Sequence, residues 1–328
     1  MTHDMEADAI FVEAAARLHF GVLDLRGSRG RWFGGIGAAA PAPTLLVSAS
    51  PSPRLTVEGE DADRAEEFAR RFLSHHGIAQ GASVHVHRAL PSHAGLGSGT
   101  QLALALARAL AELHHVSTDA VDLARAVGRA RRSAIGTWTF DGGGFVLEGG
   151  RRAESEDVAP LLARLAFPAT WRCIVAVPRS ASGISGEVEA EAFAQLPPPS
   201  DREVEHVAHL VLMTLLPSLV EADLSTFGAA LSEIQEITGR WFAPIQGGAF
   251  ARGVSEALVR RMAEWGACGV GQSSWGPAVY GIVDGEECAH QLQARVRDAM
   301  RDDGDVYAGP FQSSGARVWR APLLVGRT

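Results

Sequence analysis

The stretch from Pro91 to Ala103, Pro-Ser-His-Ala-Gly-Leu-Gly-Ser-Gly-Thr-Gln-Leu-Ala, limits what this chain can fold into more than any other. An alternating run, Ser83 to His87, leads into it, and an apolar helical pattern, Thr100 to His114, leads out. A strand, a glycine turn and a helix in that order leave free backbone N–H groups at the positive end of a helix dipole. Glycines there present no side chain, so a phosphate can approach the backbone. No Gly-Lys-Ser/Thr follows the glycines, and the spacing is not the dinucleotide Gly-x-Gly-x-x-Gly, so both of those loops are excluded. The loop alone leaves two possibilities open: a phosphate cradle of another lineage, or a tight turn that binds nothing.

The rest of the composition narrows the partners. Of 328 residues, 46% are hydrophobic and 21% charged, the balance of a soluble globular protein with room for one large domain or two of ordinary size. A net charge of −8 with no offsetting basic block argues against nucleic-acid binding. The basic cluster from Arg125 to Arg132 is spaced like one solvated helix face. Cys173, Cys268 and Cys288 lie far apart and read as reduced thiols of a cytoplasmic protein. Acidic Asp4, Glu6 and Asp8 stand where an export signal would be basic and then apolar. The longest apolar run, His209 to Val220, contains Pro217 and is too short for a membrane span. Small-molecule substrates, with no nucleic acid and no membrane, are the expected partners.

Along the chain, strands are expected at Ala16 to Leu23, Leu45 to Ser48, Arg54 to Glu58, Arg172 to Val177 and Val279 to Val283. Helices are expected at Asp61 to His76, Asp119 to Arg132, Glu203 to Leu216, Ala222 to Thr238, Ser255 to Trp265 and Glu286 to Arg301. Ser133 to Gly150 is punctuated by glycine, and Arg179 to Glu187 reads as a polar loop. A soft boundary near Ala166 divides residues 1–165 from 166–328. His85 with His87, and His114 with His115, lack a third ligand at metal spacing, which argues against zinc. Ser98 lacks the partners of a hydrolase nucleophile.

Three ordered segments resemble the GHMP superfamily of small-molecule kinases: Arg17-Leu-His19-Phe-Gly21-x-x-Asp24, the loop through Gly95-Leu-Gly97-Ser-Gly99, and Gly271-Gln-Ser-Ser-Trp275-Gly276-Pro277. The resemblance implies an α+β, two-domain GHMP-kinase-like fold. Its N-terminal domain would be like domain 2 of ribosomal protein S5, its C-terminal domain ferredoxin-like. Superfamily members that use an aspartate base carry Ser-Gly-x-Asp before a Gly-Gly pair. Here Ser133-Ala-Ile-Gly136 precedes Gly143-Gly144, so Gly136 stands where the base would be and cannot take a proton. That weakens the alternative of an ATP-dependent small-molecule kinase.

Further segments, Gly34-Gly35-Ile36-Gly37, Gly136-Thr-Trp138 and Phe140-x-Gly142-Gly-Gly-Phe145, resemble the β-ribofuranosylaminobenzene 5′-phosphate synthases of tetrahydromethanopterin biosynthesis. The resemblance spans Arg17 to Val283. It implies a decarboxylating transferase that joins 5-phosphoribosyl 1-pyrophosphate to 4-aminobenzoate or 4-hydroxybenzoate, with Mg²⁺ as cofactor and a possible homodimer. On that basis Arg17, His19 and Asp24 are the candidate catalytic residues. Gly95, Gly97, Ser98, Gly99, Thr100, Ser273, Ser274 and Trp275 are the candidate substrate- and phosphate-binding residues, and Asp24 and Asp141 the candidate metal ligands. Trp138, Phe140 and Trp275 are candidates for lining an arene pocket, and Arg31 and Arg179 weaker candidates for phosphate.

Overall fold

The computed structural model describes residues 8–322 except 153, 156, 182, 184 and 185, so Asp4 and Glu6 and part of the 179–187 loop lie outside it. The first lobe contains β1 (Asp8–Asp24), β2 (Arg31–Ser52), β3 (Thr56–Gly59), α1 (Ala62–His75), β4 (Gly81–Arg88), α2 (Ser98–Leu113), α3 (Ala120–Ala126), α4 (Ile135–Gly142), β5 (Phe145–Glu148), β6 (Arg151–Arg152) and β7 (Leu161–Leu165). The second begins at β8 (Trp171–Pro178) and α5 (Gly186–Gln195). Then α6 (Asp201–Leu210) runs through a π turn, Val211–Leu215, into α7 (Leu216–Val220). After α8 (Leu224–Gln246) come α9 (Val254–Glu264), β9 (Gly269–Gln272), β10 (Val279–Asp284), α10 (Glu286–Met300), β11 (Gly304–Gly309) and β12 (Arg317–Pro322). The protein is α+β, with one sheet per lobe.

The larger sheet runs β12-β1-β2-β4-β3, with β5 and β6 paired to β2 and β7 to β5. All its pairs are antiparallel except β3 with β4. The smaller sheet has the order β11-β8-β10-β9, the ferredoxin-like arrangement. Strand β1 explains why the two lobes form one body. Its inward residues Ile10, Val12, Ala14, Ala16, Leu18 and Phe20 are buried, and α2 lies against the same sheet. Phe20 then meets Tyr280 of β10 at 4.9 Å between ring centroids. A separate apolar cluster, including Ile174, Met262, Val279 and Val296, fills the far side of the small sheet under α9 and α10.

Several features depart from the expected elements, among them the helix expected over Asp119 to Arg132, which ends at Ala126. The glycine-punctuated segment contains a helix, α4, buried at Ile135, Gly136, Thr137 and Thr139. The passage from one sheet to the other falls between β7 and β8, yet β12 returns to the first sheet, with Asp8 opposite Pro322. Residues Asp201–Val220 form one helical stretch long and apolar enough to cross a membrane. In this fold its Val207, Val211 and Leu215 join the main core, while Leu212, Met213 and Val220 face outward.

Candidate active site

Alternate glycines of the loop before α2 each face a different neighbour. Gly95 has φ +75°, and a Cβ there would lie 2.2 Å from the Ser273 carbonyl oxygen. Gly97, also left-handed, caps α2 without a side-chain hydrogen bond, and its missing Cβ lies 2.8 Å from the Arg17 stem. The missing Cβ of Gly99 faces Arg129 at 3.1 Å and Arg64 at 3.7 Å. These contacts explain why three glycines are required at this spacing. The Thr100 and Gln101 amides donate to the Gly97 carbonyl at 3.0 and 2.9 Å, while among the described residues the Ser98 and Gly99 amides and the hydroxyls of Ser98 and Thr100 have no partner.

The C-terminal glycine segment holds this loop in place. Ser273 is fully buried; its hydroxyl donates to the Gly95 carbonyl at 2.7 Å and accepts the His19 amide at 2.9 Å. The Ala278 amide donates to Ala94 at 3.1 Å, and the Arg17 amide donates to Leu96 at 3.0 Å. Ser273 therefore ties three distant segments together, and its hydroxyl is already occupied at both lone pair and proton.

Beside the loop lies a cavity of about 740 Å³, counted to its open mouth. Arg17 and His19, two apart on β1, both face it as strand alternation requires. Phe33, Phe193, Phe242 and Trp275 form its apolar wall. Their rings meet edge to face: Phe33 with Phe193 at 5.6 Å, Phe193 with Phe242 at 5.8 Å, and Phe242 with Trp275 at 4.8 Å. Arg132 and Glu189, paired at 2.9 Å, stand at the wall beside Phe193. Gln235 braces the floor, donating to the Phe20 carbonyl and accepting the Gln272 amide at 2.8 Å.

The charges inside are uneven. Desolvation pulls Arg17 down to about 10, with Glu189 opposing, so Arg17 remains cationic at neutral pH. Its guanidinium donates to the Gly95 carbonyl. Burial, then the Arg17 charge, pushes His19 down to about 3, which leaves a neutral imidazole. Behind them, Glu148 on β5 is fully buried, and desolvation raises it to about 7 against hydrogen bonds from the Gly150 and Ala134 amides. A Cβ at Gly35 would stand 3.4 Å from His19 Nε2 and 3.5 Å from a Glu148 oxygen.

The remaining candidate residues fall into place around this centre or away from it. Ser274, at φ +56°, and Trp275 line the cavity. Asp24 does not: its Oδ1 accepts the Arg26 and Gly27 amides at 2.6 and 3.1 Å, closing the turn after β1. Asp141 ends α4 and pairs with Arg164 at 2.9 Å. Among the described residues no three His, Cys, Asp or Glu side chains come together as a metal site. Trp138 donates to the Ala159 carbonyl, and Phe140 packs in the core, so neither reaches the cavity. Arg31 holds the Gly149 and Gly150 carbonyls, and Arg179 pairs with Asp305 at the surface. Phe33, Phe193, Phe242 and Arg129 carried no signal beyond ordinary apolar or basic spacing, because their convergence is tertiary. Arg129 is not on a solvated face; it turns toward the start of α2.

Gly136 settles where a kinase base could stand. A Cβ at this position would lie 2.9 Å from Thr100 Cγ2, and the Gln101 amide donates to its carbonyl at 2.9 Å. The start of α2 closes over α4, and no aspartate fits without moving it.

Comparisons with known proteins agree with this geometry. Residues 63–144 match the GHMP kinases N-terminal domain and 215–302 the GHMP kinases C-terminal domain. The chain is 36% identical, over 84% of its own length and 89% of the relative's, to the β-ribofuranosylphenol 5′-phosphate synthase of Methanothermobacter thermautotrophicus. That of Archaeoglobus fulgidus is 34% identical over 88% and 92%. The chain belongs to the β-ribofuranosylphenol 5′-phosphate synthase family. Its fold is shared more widely: homoserine kinase from Cytophaga hutchinsonii superposes with a TM-score of 0.68 over 97% of this chain and 99% of the kinase, at 20% identity. Within the synthase family, the aromatic cavity and the closed Gly136 position are the features of this chain that distinguish its site from one built around an aspartate base.

Proposed function

We propose that this synthase-family chain condenses 5-phosphoribosyl 1-pyrophosphate with 4-hydroxybenzoate, or its 4-amino analogue, releasing CO₂ and pyrophosphate. The observation that carries the reading is a four-ring wall facing Arg17, which unlike Arg132 has no salt-bridge partner among the described residues, beside the glycine loop. The ring carbon bearing the carboxylate supplies the electron pair that bonds to ribose C1. The C1–oxygen bond breaks with its electrons going to pyrophosphate. Loss of CO₂ then returns the ring–carboxylate bonding pair to the ring and restores aromaticity.

Each part of the site has a task in that sequence. The aromatic wall stacks the arene over the loop, and holding two reactants so supplies much of the rate. Arg17 meets the carboxylate, while neutral His19 offers a hydrogen bond without a competing charge. Surrounding apolar rings desolvate the carboxylate, which favours its departure as uncharged CO₂. The loop amides and the Ser98 and Thr100 hydroxyls meet the developing pyrophosphate charge. Asp24 and Asp141 lie away from the cavity lining, with Asp24 Oδ1 taken by two amides and Asp141 Oδ2 by Arg164, which does not favour them as a magnesium cage. We therefore place Mg²⁺ with the donor as its chelate, and no step depends on it.

The test is an incubation of the protein with the donor, Mg²⁺ and carboxyl-labelled 4-hydroxybenzoate, scoring CO₂ and pyrophosphate together. Equal release, lost when either substrate is omitted, is the expected result. Absence of release with both the hydroxy and amino benzoates overturns the reading.

A further inference from the structure

Beyond the aromatic cavity, at the start of α2, lie three arginines that have no part in the roles just described. Arg129 follows α3, and its guanidinium reaches the first turn of α2, where Arg64 of α1 also arrives. Arg71 stands behind them, its Nη1 3.2 Å from where a Cβ on Gly128 would be. Two of these arginines have acidic partners: Arg64 pairs with Asp61 and Arg71 with Glu67. Arg129 has none among the described residues. Its guanidinium carbon lies over the Phe68 ring, 4.6 Å from the centroid, and its buried Nε has no hydrogen-bond acceptor.

This arrangement opposes itself in the ligand-free protein. The start of α2 is already the positive end of a helix dipole, its first turn holds no acidic residue, and its cap is a glycine. Desolvation and the neighbouring Arg64 and Arg71 charges all push Arg129 toward losing its proton, with only Glu67 and Glu189 opposing. A folded chain that gathers like charges around a helix N-terminus leaves a defined place for an anion.

From these contacts we propose that Arg129 and Arg64, with the first amides of α2, bind the pyrophosphate group of the donor. Arg17, on the Gly97 side of the same loop, closes the site toward the arene cavity. Two guanidinium groups and a helix terminus offer a diphosphate more charge and more donors than a single phosphate ester needs. That an anion binds here stands on the contacts alone; its identity as pyrophosphate rests on the synthase reading.

The test measures binding of inorganic pyrophosphate, ribose 5-phosphate and 4-hydroxybenzoate separately, by calorimetry, to the wild-type protein and to Arg129→Met. Methionine keeps an apolar stem over Phe68 and removes only the charge and its donors. Pyrophosphate affinity is expected to fall at least about 10-fold, with 4-hydroxybenzoate binding unchanged. The ligand-free variant is expected to melt no lower than wild type, because a frustrated charge has gone; a merely structural arginine would lower the melting point. Arg129→Lys, which keeps the charge but loses the fork, is expected to weaken pyrophosphate about threefold or more and decides the matter if the methionine variant fails to fold. Pyrophosphate affinity within twofold of wild type in a folded variant overturns the proposal, as does loss of ribose 5-phosphate binding in its place. These outcomes are independent of turnover: a wild-type protein that binds pyrophosphate through Arg129 but releases no CO₂ would overturn the synthase reading and leave this site standing.

Discussion

Two glycine clusters of the first lobe look alike in sequence and behave differently in the fold. In the loop before α2, the spaces left by Gly97 and Gly99 face the side chains of Arg17, Arg129 and Arg64. In the segment after α4, a Cβ on Gly143 would meet the Ser314 backbone at 2.4 Å, and one on Gly144 the Leu165 carbonyl at 2.7 Å. One cluster brings charge to a helix terminus, and the other lets strands and a returning tail pack backbone to backbone. A glycine run thus marks close approach, and what approaches decides whether the place is chemical or architectural.

The sharpest way to break that distinction is at Arg17. Replacing it with methionine is expected to cost about 10²- to 10³-fold in CO₂ release, since it removes the cavity-lining cation that, unlike Arg132, has no salt-bridge partner among the described residues. A loss under tenfold would mean that the loop region acts without it. Glu148, four residues beyond Gly144, tests the architectural side through pH. Its carboxyl is raised from an ordinary 4.5 to about 7, so the unfolded chain ionises first. Stability from this group is full below about pH 4.5 and is lost as pH rises through 7, a change of roughly 3 kcal/mol. Denaturant melts of Glu148→Gln against wild type, from pH 5 to 8, should show that decline only in wild type.

Next in size is Gly143→Ala, expected to lower stability by about 2 kcal/mol while leaving the turnover of folded molecules intact. Lost turnover at full stability would erase the contrast between the clusters. Phe242→Ala should weaken 4-hydroxybenzoate binding about fivefold, the scale of one edge-to-face ring partner, with pyrophosphate binding unaltered. Smallest of all, Asp141→Asn removes a partly exposed pair with Arg164 and should change neither the Mg²⁺ dependence nor stability by more than about 1 kcal/mol. A shifted Mg²⁺ requirement would restore Asp141 as a ligand.

Much of this was legible from the residues. Helices α1 and α2 carry apolar positions at helical spacing, and the loop motif marked the glycine turn that opens α2 beside the cavity. Alternation on β1 is enough to put Arg17 and His19 on one face, and both line the cavity. Helix α4 was hidden because Gly136-Thr-Trp-Thr-Phe-Asp-Gly142 is poor in helix formers, and tertiary contacts with α2 override that preference. The arene wall was hidden for a different reason: Phe33 precedes Gly34 at φ +70°, while Phe193 and Phe242 sit on helices separated by forty-odd residues. Nothing in local spacing marks such rings as neighbours. Asp24 illustrates the reverse error, a motif carboxylate whose oxygen proves to be used by its own turn.

The pairing of β12 with β1 carries a consequence for how the molecule comes into being. Strand β1 is made long before β12, yet its outer edge lacks this partner until Arg317–Pro322 has been synthesised. During translation, the first lobe would present an unpaired strand edge bearing Phe11, which later stacks on Trp319 at 5.5 Å. Closure of that sheet is a contact across nearly the whole chain, so it belongs to the last stage of folding rather than to an independently maturing N-terminal unit. A nascent chain stalled before β12 would be a partly open molecule prone to pairing with its neighbours on the polysome.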